Sequence, residues 1–112
     1  MKTRFTTKEA LAAELNGLYS AVDDEALELL LGDRATLETV TDLPSVIRRF
    51  IADADLALST FGDESYRKVL VLIGSAMADD ELLAGMEAFE DEWWYKPTNY
   101  TNAVMVDINY DV

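Results

Sequence analysis

A chain of 112 residues fits one domain, residues 1–112, long enough to bury a real core. Its 22 acids against 9 bases give a net charge of −13, a field that repels nucleic acid and anionic membranes and attracts basic protein surfaces. The chain has neither cysteine nor histidine, which excludes disulfides, zinc–thiolate sites and nucleophile–imidazole catalysis, and its 50% hydrophobic content argues against a disordered acidic tail.

The basic residues near the N-terminus are not followed by a long apolar core, so they do not read as a secretory signal. The longest apolar stretch, residues 69–73, is far too short to span a bilayer. A cytoplasmic setting is the expectation.

Thr6 and Glu9 have capping-box spacing, and Leu11, Leu15, Leu18, Tyr19 and Val22 follow at helical spacing, which predicts a first helix from Thr6. Asp23, Asp24 and Glu25 open a second helix through Leu31, stopped by Gly32. Residues 33–41 read either as a short helix or as an extended connector. Asp42 as N-cap and Pro44 just inside then predict a third helix, with Leu43, Val46, Ile47, Phe50, Ile51, Ala54 and Leu58 as its apolar stripe and Gly62 as its end. Asp63 caps a fourth, with Tyr66, Val69, Leu70, Ile73 and Met77 inward. Asp79 starts a fifth, with Leu82, Leu83, Met86, Phe89 and Trp93 inward, running down near Trp94.

After Pro97 the period changes to two. Val104, Val106, Ile108 and Tyr110 alternate with Met105, Asp107 and Asn109, which predicts a half-buried strand over residues 103–110. A lone strand leaves its backbone groups unpaired, so it needs residues 2–5, residues 35–40 or a strand of another molecule beside it. The expected fold is therefore mainly α, a compact bundle of about five helices with a short C-terminal β-strand in a small sheet, with an α+β arrangement as the alternative. Leu15, Ile47, Phe50, Leu70, Ile73, Leu83 and Phe89 are the expected core.

No glycine-rich phosphate loop is present. Asp53, Asp55 and Glu64 match three acidic positions of a calcium loop, but Ala57 and Leu58 stand where a ligand and the turn glycine are required. The clusters Asp23-Asp24-Glu25 and Asp79-Asp80-Glu81 are explained as helix starts. Arg48, Arg49, Arg67 and Lys68 sit in an acidic field and are expected to serve internal ion pairs. No catalytic residue, cofactor or metal is expected.

The acids Glu87, Glu90, Asp91 and Glu92 fall at the end of a predicted helix, where negative charge opposes the macrodipole. Aromatic residues follow directly. Adjacent helical residues point about 100° apart, so one helix face does not readily bury both Trp93 and Trp94. With Trp93 inward, Trp94 and Tyr95 become exposed aromatic neighbours of the acids. Residues 69–112 hold nine acids and one base, Lys96, a net charge of −8. Glu87, Glu90, Asp91, Glu92, Trp94 and Tyr95 are therefore the expected partner-binding residues, with a basic protein surface as the partner and neither nucleic acid nor membrane bound directly.

In composition the chain resembles the small acidic inhibitors of phages and mobile elements, anti-CRISPR and anti-restriction proteins among them, and bacterial immunity proteins. The resemblance implies a non-enzymatic inhibitor that mimics nucleic acid: carboxylates on a rigid face occupy the lysines and arginines with which a defence or nucleic-acid-handling complex holds phosphates. Neutralisation of a basic toxin is the second expectation. A homo-oligomeric structural or adaptor module, dimerising through the C-terminal strand, is the third.

Overall fold

The computed structural model describes residues 7–63, 65–96 and 101–109. Among them, four α-helices and a π-helical turn accompany a four-stranded mixed sheet whose spatial order follows the chain, β1-β2-β3-β4. The expectation of a mainly α bundle of about five helices is thereby corrected to an α+β fold with a central sheet.

Helix α1 (Lys8–Asn16) starts at Thr7, whose hydroxyl accepts from the Ala10 N–H, and ends at Gly17. The expected cap Thr6 lies outside the described residues. Leu11 and Leu15 are buried as expected, but the chain leaves the helix before Tyr19 and enters β1 (Ala21–Val22). Helix α2 (Asp24–Leu31) has the boundaries read from Asp23 and Gly32.

Helix α3 (Arg34–Phe50) is longer than expected. It begins not at Asp42 but at Asp33, whose carboxylate accepts from the Thr36 N–H and hydroxyl. Residues 33–41, ambiguous in sequence, are thus helical, and Pro44 lies in the helix interior. Proline there removes the N–H that would bond to the carbonyl four residues back. That carbonyl belongs to Val40, and the buried Tyr19 hydroxyl donates to it at 2.7 Å. Tyr19 replaces the bond that Pro44 deletes, and the helix continues through to Phe50. Burial raises the Tyr19 phenol far above its ordinary range, so it acts as a donor at any physiological pH.

Residues 55–74 correct the sequence reading most. In place of the tail of one helix and the body of another, they form a hairpin of β2 (Asp55–Asp63) and β3 (Tyr66–Gly74). Gly62 does not stop a helix. It takes φ 113°, where a Cβ would run into the Tyr66 carbonyl, so the turn needs glycine. Asp63 does not cap a helix either. Its Oδ1 accepts from the Ser65 N–H and hydroxyl and from the Tyr66 N–H, which closes the turn.

Register places Leu56 and Leu58 beside Ile73 and Val71, and Val69, Val71 and Ile73 beside Val104, Val106 and Ile108. These residues share the face that packs under the helices. The opposite face carries half-buried Leu70, Leu72 and Met105 and exposed Phe61 and Tyr66. Of the expected core, Leu15, Ile47, Ile73 and Phe89 are fully buried, Phe50 and Leu70 are half-buried, and Leu83 is exposed.

Strand β4 (Val104–Ile108) pairs in parallel with β3. None of the partners expected from sequence takes that place: residues 35–40 are helical, and residues 2–5 lie outside the described residues. Parallel neighbours require a crossover, which α4 (Asp79–Phe89) supplies between β3 and β4, as α2 and α3 do between β1 and β2. Helix α4 closes tightly on the end of α3, where a Cβ on Gly85 would sit 2.9 Å from the Phe50 carbonyl.

Tyr19→Phe should leave the Val40 carbonyl buried without a donor and cost about 1–3 kcal/mol. Pro44→Ala restores the helix N–H to that carbonyl. In a chemical-denaturation double-mutant cycle, Tyr19→Phe should therefore cost much less in the Pro44→Ala background. Equal costs in both backgrounds would sever the link between the two residues.

Candidate partner-binding groove at the β4 edge

The last turn of α4 does not stay α-helical. Residues Glu90–Trp94 form a π-helical turn closed by the Tyr95 N–H to the Glu90 carbonyl at 2.9 Å. The wider turn rotates successive side chains by less than an α-helix does, so two adjacent tryptophans can lie against the same core. Phe89, Trp93 and Trp94 have near-parallel rings with centroids 6.1–6.2 Å apart, and the Phe50 ring meets Phe89 edge-on.

The expected placement of the tryptophans is corrected accordingly. Trp94 is 3% exposed and belongs to the core, and Trp93 is the half-buried one. Trp94 therefore cannot serve as an exposed anchor. Tyr95, 58% exposed, remains the accessible aromatic.

Around this turn the structure gathers most of the expected site. Glu87, Asp91 and Glu92 are exposed and Glu90 is half-buried. A groove of about 330 Å³ lies between the π-turn and the outer edge of the sheet, lined by Glu90, Trp94 and Tyr95 on one side and by Val104, Met105, Val106 and Asp107 of β4 on the other, with Lys68 beside them. Asp107 was missed as a site residue. Its signal was the acidic position in the alternating strand, but only the β3–β4 pairing brings it to Glu90.

Partial burial holds the Glu90 carboxyl above the ordinary carboxylate range, and the negative charges of Asp91, Glu87 and Asp107 push it the same way. A hydrogen bond from the Tyr95 side chain opposes the shift. Glu90 thus feels three neighbouring carboxylates, of which Asp107 shares the lining of the groove.

The rest of the acidic surface is treated differently. Among the described residues, the ion pairs are Lys8 with Asp24 and Glu28, Arg34 with Glu38, and Arg67 with Glu25. All their acids lie on α2 and α3; none lies on α4, the π-turn or β4. Asp53, in the calcium-like sequence, accepts from the Ser75 hydroxyl and the Ala76 N–H and so ties down the chain after β3. No group of three or more candidate ligands for a metal ion occurs among the described residues. None of their helices is long and apolar enough to cross a membrane.

No protein-family model, curated protein or solved structure matches the chain.

Two outcomes follow for the π-turn. Trp94→Ala should destabilise the fold by about 3–5 kcal/mol, while Tyr95→Ala should change stability by about 0.5 kcal/mol or less, as thermal melts will show. Glu90 has a raised folded pKa, so its contribution favours folding below the ordinary carboxylate pKa, near pH 4, and is lost as pH rises through the folded value. Glu90→Gln should therefore raise the melting temperature at neutral pH, with the gain vanishing in acid. A gain that persisted unchanged in acid would contradict a titration origin.

Proposed function

We propose that the chain is a non-enzymatic acidic binding protein whose α4–β4 side occupies a basic, nucleic-acid-binding surface of another protein, as an inhibitor of the anti-restriction or anti-CRISPR kind would. The observation that carries this reading is the division of the acids. Those of α2 and α3 include carboxylates neutralised by the protein's own cations, whereas Glu87, Glu90, Asp91, Glu92 and Asp107 take no part in any ion pair among the described residues.

The chemistry favours a cationic partner for three reasons. Mutually repelling carboxylates gain most when lysine or arginine side chains arrive between them. A partly desolvated carboxylate such as Glu90 interacts more strongly with an incoming cation than a fully hydrated one. Exposed Tyr95 adds an apolar contact at the centre of the charged rim. Charge should thus govern encounter, and Tyr95, in the place expected of Trp94, should govern residence.

The test is capture from lysate on the immobilised protein, followed by competition. The captured protein should be basic, should elute with rising salt, and should be displaced by duplex DNA or RNA that competes for the same surface. Reversing Glu90 and Asp91 to lysine should slow association by roughly ten-fold or more and flatten its salt dependence. A captured protein released by salt but not by nucleic acid would point to toxin neutralisation instead. Capture insensitive to the two reversals would place the binding face elsewhere.

A further inference from the structure

Among the described residues, β4 is the last strand of the sheet, and its outer edge opens into the groove. The bonds from Val69 N–H to Ala103 O and from Asn109 N–H to Ile73 O fix its parity: odd-numbered residues bond to β3. Val104, Val106 and Ile108 therefore direct their N–H and C=O groups outward. The Asp107 carboxylate caps the Ile108 N–H at 2.8 Å. The outward groups of Val104 and Val106 have no such cap among the described residues, and both residues line the groove.

Proteins usually protect such an edge with lysine, proline, a bulge or a covering segment. Here the edge has neither lysine nor proline, and its strand is a short run of ladder pairs without interruption. Its groove carries two acids, Glu90 on the side of the π-turn and Asp107 on the strand itself, with Lys68 of β3 beside them. The same acids disfavour a second copy of this chain, because a two-fold β4–β4 pairing would bring the two Glu90, Asp91 and Asp107 clusters together. A cationic strand meets the opposite situation.

We infer that an extended, lysine- or arginine-bearing segment of the partner adds to the outer edge of β4 as a fifth strand, bonding to the outward backbone of Val104 and Val106 and placing basic side chains against Glu90 on one side of the edge and Asp107 on the other. The inference deepens the proposed function and rests on its basic partner, but it adds a main-chain requirement that surface charge alone does not have. Backbone bonds supply affinity independent of sequence, and the carboxylates on either side of the edge select for cationic side chains.

The probe is a short synthetic peptide alternating lysine with valine. It should bind with one-to-one stoichiometry, slow amide hydrogen exchange at Val104 and Val106 by ten-fold or more, and lose that protection when alternate peptide nitrogens are methylated. Val106→Pro removes an outward N–H at an edge position where proline is tolerated. It should weaken peptide binding ten-fold or more while circular dichroism and solution mass stay unchanged. Glu90→Gln, which keeps the backbone edge intact, should weaken binding and reduce its salt dependence. Should Val106→Pro fail to fold, the methylated peptides decide the matter alone.

Binding that survives both Val106→Pro and peptide methylation, yet still falls with Glu90→Gln, would overturn strand addition and leave the basic-partner reading standing. Absence of peptide binding, or a dimer in light scattering that Val106→Pro dissolves, would also overturn it, the latter by showing that a second copy fills the edge.

Discussion

One carbonyl sets the terms for the helical layer. Pro44 sits in the middle of the longest helix and strips the Val40 carbonyl of its partner in the core. An unbonded buried carbonyl is a costly defect, so the helix persists only because the Tyr19 hydroxyl reaches it. To place that hydroxyl, α1 must stop at Gly17, and the Tyr19 N–H must turn back onto the Leu15 carbonyl. The next residues then run into β1, where the Ser20 N–H bonds to Leu56 and the Asp23 N–H to Leu58. A single side chain thus couples the end of α1, the middle of α3 and the first strand of the sheet.

Much of the helical layer was legible because its signals are local. Asp23 and Gly32 bracket α2 with residues that favour those positions whatever lies around them. Leu82, Met86 and Phe89 recur at helical spacing and are buried, while Leu83 falls off that stripe and is exposed. The position of Pro44 misled for a physical reason. Proline is commonest in the first turn of a helix, where the missing N–H has no intrahelical partner. Only the distant Tyr19 makes an interior position workable, and sequence spacing does not reveal a contact made across 21 residues.

The hairpin was hidden by degeneracy. Val69, Leu70, Val71, Leu72 and Ile73 form an unbroken apolar run, which fits a buried helix face and a buried strand equally well by periodicity. The β-branched residues at 69, 71 and 73 were the discriminating signal, since they are the three that point into the core. Gly62 and Asp63 between two such runs are turn chemistry as readily as they are helix punctuation. Once the hairpin is present, the C-terminal strand has its partner within the chain, and the need for residues 2–5 or another molecule to supply one disappears.

The candidate site was half legible, and the missing half is a matter of geometry. Glu87, Glu90, Asp91, Glu92 and Tyr95 are expected from charge and position alone; the place of Asp107 beside them and the exchange of roles between Trp93 and Trp94 are not. The first depends on the β3–β4 pairing and the second on the π-turn. A regular α-helix through Glu90 would turn adjacent side chains about 100° apart and could not bury Trp94 beside Phe89 and Trp93. With the wider turn, Trp94 lines the space next to Val104, and the Glu90 carboxyl is carried to within electrostatic reach of Asp107. The fold gains no stability from that approach: carboxylates at the end of a helix oppose its dipole, and their mutual repulsion disfavours the ionised form of Glu90. A neutral side chain at position 90 would serve the core as well. In the proposed reading, a cation from outside completes an arrangement that works against the isolated protein, beside a strand edge that has no pairing strand among the described residues.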